Sequence, residues 1–121
     1  MPSTIKVLVI DDDAGIRQML GLALPAAGFE VVLSDGQLID GAGSADVILL
    51  DVRLGNRSAR DLLADVPSLA DVPIIVMTAT VEVEVAARGL SGIAGFVAKP
   101  FDLDVLAQRI RDVAAGSPRQ V

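Results

Sequence analysis

The chain has 121 residues, of which 52% are hydrophobic and 21% charged, and its formal net charge is -6. This length suits one domain with a single core, and no apolar run approaches the roughly 18 residues of a membrane span. Because cysteine and histidine are both absent, the sequence excludes disulfides, thiolate or imidazole metal ligands, and Ser-His or Cys-His nucleophile pairs. The acidic balance argues against direct nucleic-acid binding, which needs clustered Lys and Arg.

The first part of the chain predicts two strands and one helix. Residues 5–10 are a mostly apolar strand with no apolar signal segment before it, so we expect a cytoplasmic protein. A helix is predicted over 14–27, because apolar residues recur at helical spacing and Asp13 can cap the first turn. Residues 31–33 predict a second strand. The following segment, 34–46, is rich in glycine and predicts only a short or irregular second helix.

The middle of the chain continues the alternation of strands and helices. Residues 47–50 are four branched aliphatic residues that predict a strand buried on both faces. A loop over 52–56 and a helix over 58–66 follow, and residues 73–77 predict the fourth strand. The segment 80–90 alternates Val and Glu like a half-exposed strand, but its place between two buried strands favours a crossover helix of low stability.

The last part of the chain predicts a fifth strand over 95–98 and a final helix capped by Asp102, followed by a tail over about 116–121. Five strands that alternate with helix-length connections define a parallel α/β sandwich. We therefore expect a single domain over residues 1–121.

Polar side chains follow four of the five predicted strands. They are Asp11 and Asp12 after the first strand, Asp51 after the third, Thr78 after the fourth and Lys99 after the fifth. Ligands of open parallel sheets bind at the carboxyl ends of the strands, so these side chains are expected to converge. Each one alone would more often be a helix cap, a packing residue or a solvated charge. Their joint placement favours a functional site.

The chemistry of this set points to phosphoryl transfer. Three carboxylates at one edge repel one another unless a cation lies among them, and carboxylate oxygens suit Mg2+. One carboxylate can then act as a nucleophile toward a phosphoryl donor. Lys99 would neutralise the phosphoryl oxygens, and the Thr78 hydroxyl would donate a hydrogen bond to one of them.

Four motifs carry a resemblance to a known family: VLVIDDD, VILLDVRLG, PIIVMTA and GFVAKPF. In order and spacing they resemble the chemotaxis-regulator-like receiver domain of two-component response regulators, over essentially the whole chain. The resemblance implies a flavodoxin-like, doubly wound sheet of five parallel strands in the order 2-1-3-4-5, with helices on both faces. We expect either a stand-alone regulator or the receiver part of a longer protein.

The resemblance also implies roles for individual residues. Asp51 would be the phosphoacceptor, and Mg2+ would be held by Asp11, Asp12, Asp51 and the main-chain carbonyl of Arg53. The residues expected to contact the phosphoryl group are Thr78, Ala79 and Lys99.

Further implied roles concern switching and the lifetime of the phosphoryl group. Thr78 and Phe96 would be the switch residues, although Phe96 could equally be an ordinary core residue. The bond before Pro100 would be cis. The side chains of Arg53 and Thr80 would tune the rate of hydrolysis.

The function implied is a phosphorylation-dependent signalling switch that assists its own phosphorylation and dephosphorylation but is not a turnover enzyme. A histidine kinase or phosphotransfer protein would supply the phosphoryl group. Phosphorylation would change the face made by the segment 80–90, the fifth strand and the final helix, which are helix 4, strand 5 and helix 5 in the family. That face would bind a downstream protein or form a homodimer.

Three other functions compete with this one. A receiver-fold interaction module with weak or no phosphorylation stays open, because Gly55 and Ala59 stand where the family usually has proline and glycine, in the loop where a kinase docks. A phosphatase of the haloacid dehalogenase type is disfavoured, since Arg53 occupies the position of its second acid. A flavodoxin-like cofactor binder is disfavoured by the acidic loop after the first strand.

Overall fold

The computed structural model describes residues 4–36, 45–51, 53–54, 57–65, 71–78, 93–99 and 102–115. Within these ranges the strands are β1 (Lys6–Ile10), β2 (Glu30–Ser34), β3 (Val47–Asp51), β4 (Arg53–Leu54), β5 (Arg57–Ser58), β6 (Ile74–Thr78) and β7 (Ile93–Ala98). The helices are α1 (Ala14–Ala26), α2 (Ala59–Asp65) and α3 (Leu103–Ala114).

Five of the strands form one parallel sheet in the order β2-β1-β3-β6-β7. When only the strands of this sheet are counted, the order is 2-1-3-4-5, and the flavodoxin-like prediction is confirmed. The winding reverses at β1, which lies between β2 and β3. A reversal of this kind leaves a crevice at the carboxyl ends of the central strands, where ligands of such sheets bind.

The sheet is covered on both faces because its strands are apolar without alternation. In β3, Val47 and Leu49 belong to one buried cluster and Ile48 and Leu50 to another, as expected when successive side chains point to opposite faces. The first cluster is closed by α1 and α3, and the second receives Leu62 of α2. The prediction of helices on both faces is therefore confirmed.

Both predicted helix caps are confirmed. The Asp13 side chain accepts hydrogen bonds from the main-chain N–H groups of Gly15 and Ile16, at the start of α1. Asp102 does the same for the first turn of α3. Each carboxylate satisfies donors that the first turn of a helix leaves without intrahelical partners. Past the end of α1, Gly28 adopts φ +100, a conformation that favours glycine.

The segment predicted as a loop over 52–56 contains part of a small hairpin instead. β4 and β5 pair antiparallel, with Arg53 opposite Ser58 and Leu54 opposite Arg57. Strands of two residues are too short to show an apolar alternation, which is why the pattern missed them. The pair Gly55-Asn56 is the local signal that could have indicated a hairpin.

Some predictions fall outside the described residues. They include most of the irregular second helix over 34–46, the helix over 80–90, and the cis bond before Pro100. Within the ranges that are described, no helix is long and apolar enough to cross a membrane.

Candidate phosphoryl-transfer site

Three charged residues converge at the carboxyl edge of the sheet. Asp11 follows β1, Asp51 is the last residue of β3, and Lys99 follows β7. β1 and β3 are neighbours, with Ile10 opposite Leu50, so the two aspartates emerge side by side. Because the strands are parallel, the charged residues at the ends of β1, β3 and β7 lie at one edge of the sheet.

Lys99 joins the two aspartates. Its Nζ donates a hydrogen bond to Asp11 Oδ2 at 2.9 Å and lies 3.5 Å from Asp51 Oδ2. The side chain of Asp11 is fully buried, and those of Asp51 and Lys99 are 14% and 20% exposed. The ammonium is thus placed between two carboxylates in a partly water-excluded pocket, where charge interactions are stronger than on the surface.

The environment of Lys99 changes its proton affinity. Burial by itself lowers the pKa of Lys99, but the hydrogen bond to Asp11 and the charges of Asp51 and Asp11 outweigh it. The net effect is a pKa above the ordinary value of 10.5. Lys99 is therefore a fixed positive charge at neutral pH.

Asp12 adds a third carboxylate to the pocket. Asp11, Asp12 and Asp51 each offer one oxygen, and these three oxygens lie within 4.8 Å of one another. Asp12 is exposed, so the cluster opens to solvent on its side. Three converging carboxylates, two of which contact Lys99, fit a small hard divalent cation such as Mg2+.

Every polar group of Asp11 has a partner. Its main-chain N–H donates to the carbonyl of Ser34 at 3.0 Å, and its carbonyl accepts from Arg17 Nη1 at 2.8 Å. Its carboxylate accepts from the Asp13 N–H at 2.9 Å and from Lys99. Such a buried acid is held in one orientation, as expected of a group whose unpaired burial would be costly.

Ser34 and Arg17 are residues of this site that sequence reasoning missed. Ser34 is buried at the end of β2, and its Oγ accepts from the N–H of Gly36. Arg17 is the fourth residue of α1. A serine at a strand end is too common to be a signal. A cation in the first turn of a helix, where it opposes the helix dipole, is a weak signal that could have drawn attention to Arg17.

The remaining predicted site residues are placed as follows. Thr78 ends β6 opposite Ala98 of β7, so its backbone lies at the same edge as the acids. Phe96 is partly buried and packs against the second core cluster. Its carbonyl accepts a hydrogen bond from Arg109 of α3 at 3.1 Å. Arg53 is the first residue of β4, two positions after Asp51. Ala79, Thr80 and Pro100 lie outside the described residues.

The comparison with families agrees with this geometry. The response regulator receiver domain model matches residues 7–111, and the chain therefore belongs to the response regulator receiver domain family. Receiver domains of this family are phosphorylation-based signalling switches of two-component systems and are in general not enzymes. The family resemblance read from the four motifs is confirmed.

Individual relatives support the same conclusion. The chain is 33% identical over 114 residues to the transcriptional regulatory protein KdpE of Staphylococcus aureus, which covers 88% of this chain and 48% of KdpE. It is 30% identical over 112 residues to the transcriptional regulatory protein GlrR of Escherichia coli, covering 88% of this chain and 25% of GlrR. The chain thus spans about half the length, or less, of these two curated relatives.

Among solved structures, the chemotaxis response regulator CheY4 of Vibrio cholerae is 28% identical, with a TM-score of 0.74 over 92% of this chain and 99% of that chain. A CheY-like receiver domain protein from Methanospirillum hungatei has a TM-score of 0.80 over 98% of this chain and 100% of that chain. Because the identity is only 21%, this similarity shows a shared fold and carries no evidence of function.

Proposed function

We propose that Asp51 accepts a phosphoryl group and that this reaction switches the protein between two signalling states. The observation that carries the proposal is the convergence of Lys99 with Asp11 and Asp51, at 2.9 Å and 3.5 Å, in a chain of the receiver family. Asp51 suits the acceptor role, because it lies at the end of the central strand β3 and is partly exposed. Asp11 is fully buried and held by four partners, so it suits a fixed supporting role.

The reaction transfers one phosphoryl group. A carboxylate oxygen of Asp51 forms a bond to phosphorus while the bond to the donor's nitrogen or oxygen breaks, and the donor keeps that electron pair. Lys99 lies close enough to the acceptor carboxylate to neutralise charge on the phosphoryl oxygens. The charge of Lys99 does not vary near neutral pH, since its pKa is raised.

We also propose that Asp11, Asp12 and Asp51, together with the main-chain carbonyl of Arg53, hold Mg2+. The convergence of three carboxylates supports this, because their mutual repulsion is relieved by a divalent cation. When bound, Mg2+ would supply positive charge for the phosphoryl oxygens. The chain's own part is to fix the ligands and to keep Lys99 beside the acceptor.

The remaining roles are proposed from the family. We propose that Thr78, Ala79 and Lys99 contact the phosphoryl group, that Thr78 and Phe96 are the switch residues, and that Arg53 and Thr80 tune hydrolysis. The bond before Pro100 is proposed to be cis.

The partners follow from the family and from the names of the relatives. A histidine kinase or phosphotransfer protein is the proposed donor, acting in the cytoplasm on a single receiver domain. The switched face consists of the segment 80–90, β7 and α3, and it binds a downstream protein or a second copy of the chain. KdpE and GlrR are described as transcriptional regulatory proteins, so a transcriptional output, provided outside this domain, is the proposed destination of the signal.

The decisive experiment is mass spectrometry after incubation with acetyl phosphate and Mg2+. We expect a mass gain of one phosphoryl group, loss of the gain in Asp51→Asn, and loss of the gain when the metal is chelated. Asp104→Asn, which changes an exposed aspartate of α3, is the matched control and should retain the gain. An unmodified wild-type protein, or an equal gain in Asp51→Asn, would overturn the proposal in favour of a receiver-fold interaction module.

A further inference from the structure

Arg17 occupies a position that helix stability does not explain. It is the fourth residue of α1, and the first turn of this helix contains no acidic residue. A cation near the amino end of a helix opposes the helix dipole, so it weakens α1 taken alone. The described hydrogen bond of the Arg17 side chain leads outside the helix.

The partner of Arg17 lies in the acidic loop. Its Nη1 donates a hydrogen bond of 2.8 Å to the main-chain carbonyl of Asp11, and the contact is partly buried. This carbonyl belongs to the peptide bond that joins Asp11 to Asp12. Arg17 consequently fixes the plane of the peptide that links two of the three carboxylates of the pocket.

The orientations of the Asp11 and Asp12 carboxylates depend on this peptide to different degrees. The Asp11 carboxylate is held by the Asp13 N–H and by Lys99, and its main-chain N–H is held by Ser34. Among the described residues, by contrast, no hydrogen bond or ion pair holds the exposed Asp12 carboxylate. The direction of Asp12 is therefore set by its backbone. The peptide after Asp12 is held by the Asp11 carboxylate, and the peptide before it is held by Arg17.

We infer that Arg17 is a positioning residue of the cation site: its hydrogen bond to the Asp11 carbonyl aims the Asp12 carboxylate into the pocket. The inference rests on the proposed Mg2+-dependent function and deepens it. Arg17 acts through the Asp11–Asp12 peptide and does not itself bind the metal. Residues that orient metal ligands in this way contribute substantially to metal affinity.

The positioning role can be separated from a simple charge effect, because the two predict opposite changes in Mg2+ affinity when Arg17 is replaced. Arg17 carries a positive charge near an anionic pocket. If only its charge mattered, Arg17→Met would remove a repulsion and Mg2+ would bind more tightly. If Arg17 aims Asp12, the same substitution lets the peptide rotate and Mg2+ binds more weakly, despite the lost repulsion.

The experiment is a Mg2+ titration of the metal-free full chain, followed by amide NMR shifts or calorimetry. The chain has no tryptophan or tyrosine, so intrinsic fluorescence from these residues is not a usable probe. We expect Arg17→Met to bind Mg2+ about 10-fold more weakly than wild type. Arg17→Lys, which keeps the charge and one donor group, should recover part of the loss.

The matched control is Arg111→Met. Arg111 also donates to a main-chain carbonyl, that of Ala27 at 3.2 Å, but it joins α3 to the end of α1 away from the pocket. We expect this variant to lose stability and to keep wild-type Mg2+ affinity. Thermal unfolding without Mg2+ shows that each variant is folded at the titration temperature, and Arg17→Lys carries the test if Arg17→Met is not.

The outcomes distinguish the inference from the proposed function. Unchanged or tighter Mg2+ binding in Arg17→Met, beside normal binding in wild type, overturns the positioning role and leaves the proposed function standing. Equal weakening in Arg111→Met also overturns it, because the effect would then be a general loss of stability. A wild-type protein that does not respond to Mg2+ overturns the proposed metal site and the inference together.

Discussion

The two ends of the parallel sheet each carry one of the two lysines of the chain. At the amino end, Lys6 Nζ lies 3.9 Å from Glu30 Oε2, and the glutamate side chain is 58% exposed. At the carboxyl end, Lys99 Nζ lies 2.9 Å from a fully buried carboxylate and 3.5 Å from a second one. Each lysine faces an acid, but Glu30 is largely exposed, whereas the acid 2.9 Å from Lys99 is fully buried.

This difference shows what turns an ion pair into a site. An exposed pair contributes about 0–1 kcal/mol, because water screens it and two long side chains lose freedom. At the carboxyl end, Lys99 contacts the buried Asp11 and the partly buried Asp51, and a third acid, Asp12, lies beside them. The three carboxylates that converge at this end can therefore interact with a divalent cation, and Lys99 can interact with a phosphoryl group.

The largest expected effect is on the rate of phosphorylation, when the lysine at the carboxyl end is removed and the lysine at the amino end serves as the control. Lys99→Met should slow phosphorylation by acetyl phosphate by at least about 100-fold, because it removes the positive charge placed beside the proposed acceptor, Asp51. Lys6→Met should leave the rate unchanged. A time course of phosphoryl incorporation by mass spectrometry measures both rates, and comparable slowing in the two variants would erase the contrast between the two ends.

A smaller effect is expected from one aspartate at each end. Asp12→Asn should weaken Mg2+ binding by at least about 10-fold and, without metal, should raise the free energy of unfolding, because it relieves repulsion in the pocket. Asp46→Asn loses part of the hydrogen bond that the Asp46 carboxylate accepts from the Lys6 N–H. It should destabilise the protein by about 1 kcal/mol and keep the Mg2+ affinity.

Calorimetric titration and urea unfolding measure these two quantities. The comparison would be contradicted if Asp12→Asn destabilised the metal-free protein, or if Asp46→Asn changed the affinity for Mg2+.

The smallest effect is the pH dependence of stability. The pKa of Lys99 is raised above 10.5 in the folded protein, so its stabilising contribution is complete below pH 10.5 and is lost as the pH rises through the folded value. The slope from this one group is at most about 1.4 kcal/mol per pH unit. The free energy of unfolding, measured with urea across this alkaline range, should fall more steeply with pH in wild type than in Lys99→Met. Equal slopes in the two proteins would refute the contribution of Lys99.

The central sheet was predictable because burial on both faces leaves a strong local signal. Residues 47–50 contain only branched aliphatics, and they form all of β3 except its last residue, Asp51. The prediction for the second strand, 31–33, was shorter than β2, which spans Glu30–Ser34. The extra residues pair with both ends of β1, and such long-range pairing is not visible in a local pattern.

The site was partly predictable for a related reason. Parallel topology places the residues after the strands at one edge, so Asp11, Asp51 and Lys99 could be grouped before their distances were known. The contacts of Arg17 and Ser34 with Asp11 could not be predicted. Both use main-chain groups, which every residue type has, so they leave no pattern in the sequence. Sequence identifies the charges of the pocket more readily than the groups that orient them.

The ion pair between Lys99 and Asp11 joins residues that are 88 positions apart in the chain. During synthesis, β1 and β3 are available long before β7, so the acids at their ends exist for a time without their lysine. Their repulsion disfavours a tightly closed pocket in the unfinished chain, and docking of the last strand relieves it. Docking of β7 thus completes the charge cluster, and a truncated chain that ends before β7 would have the proposed acceptor aspartate without the lysine beside it.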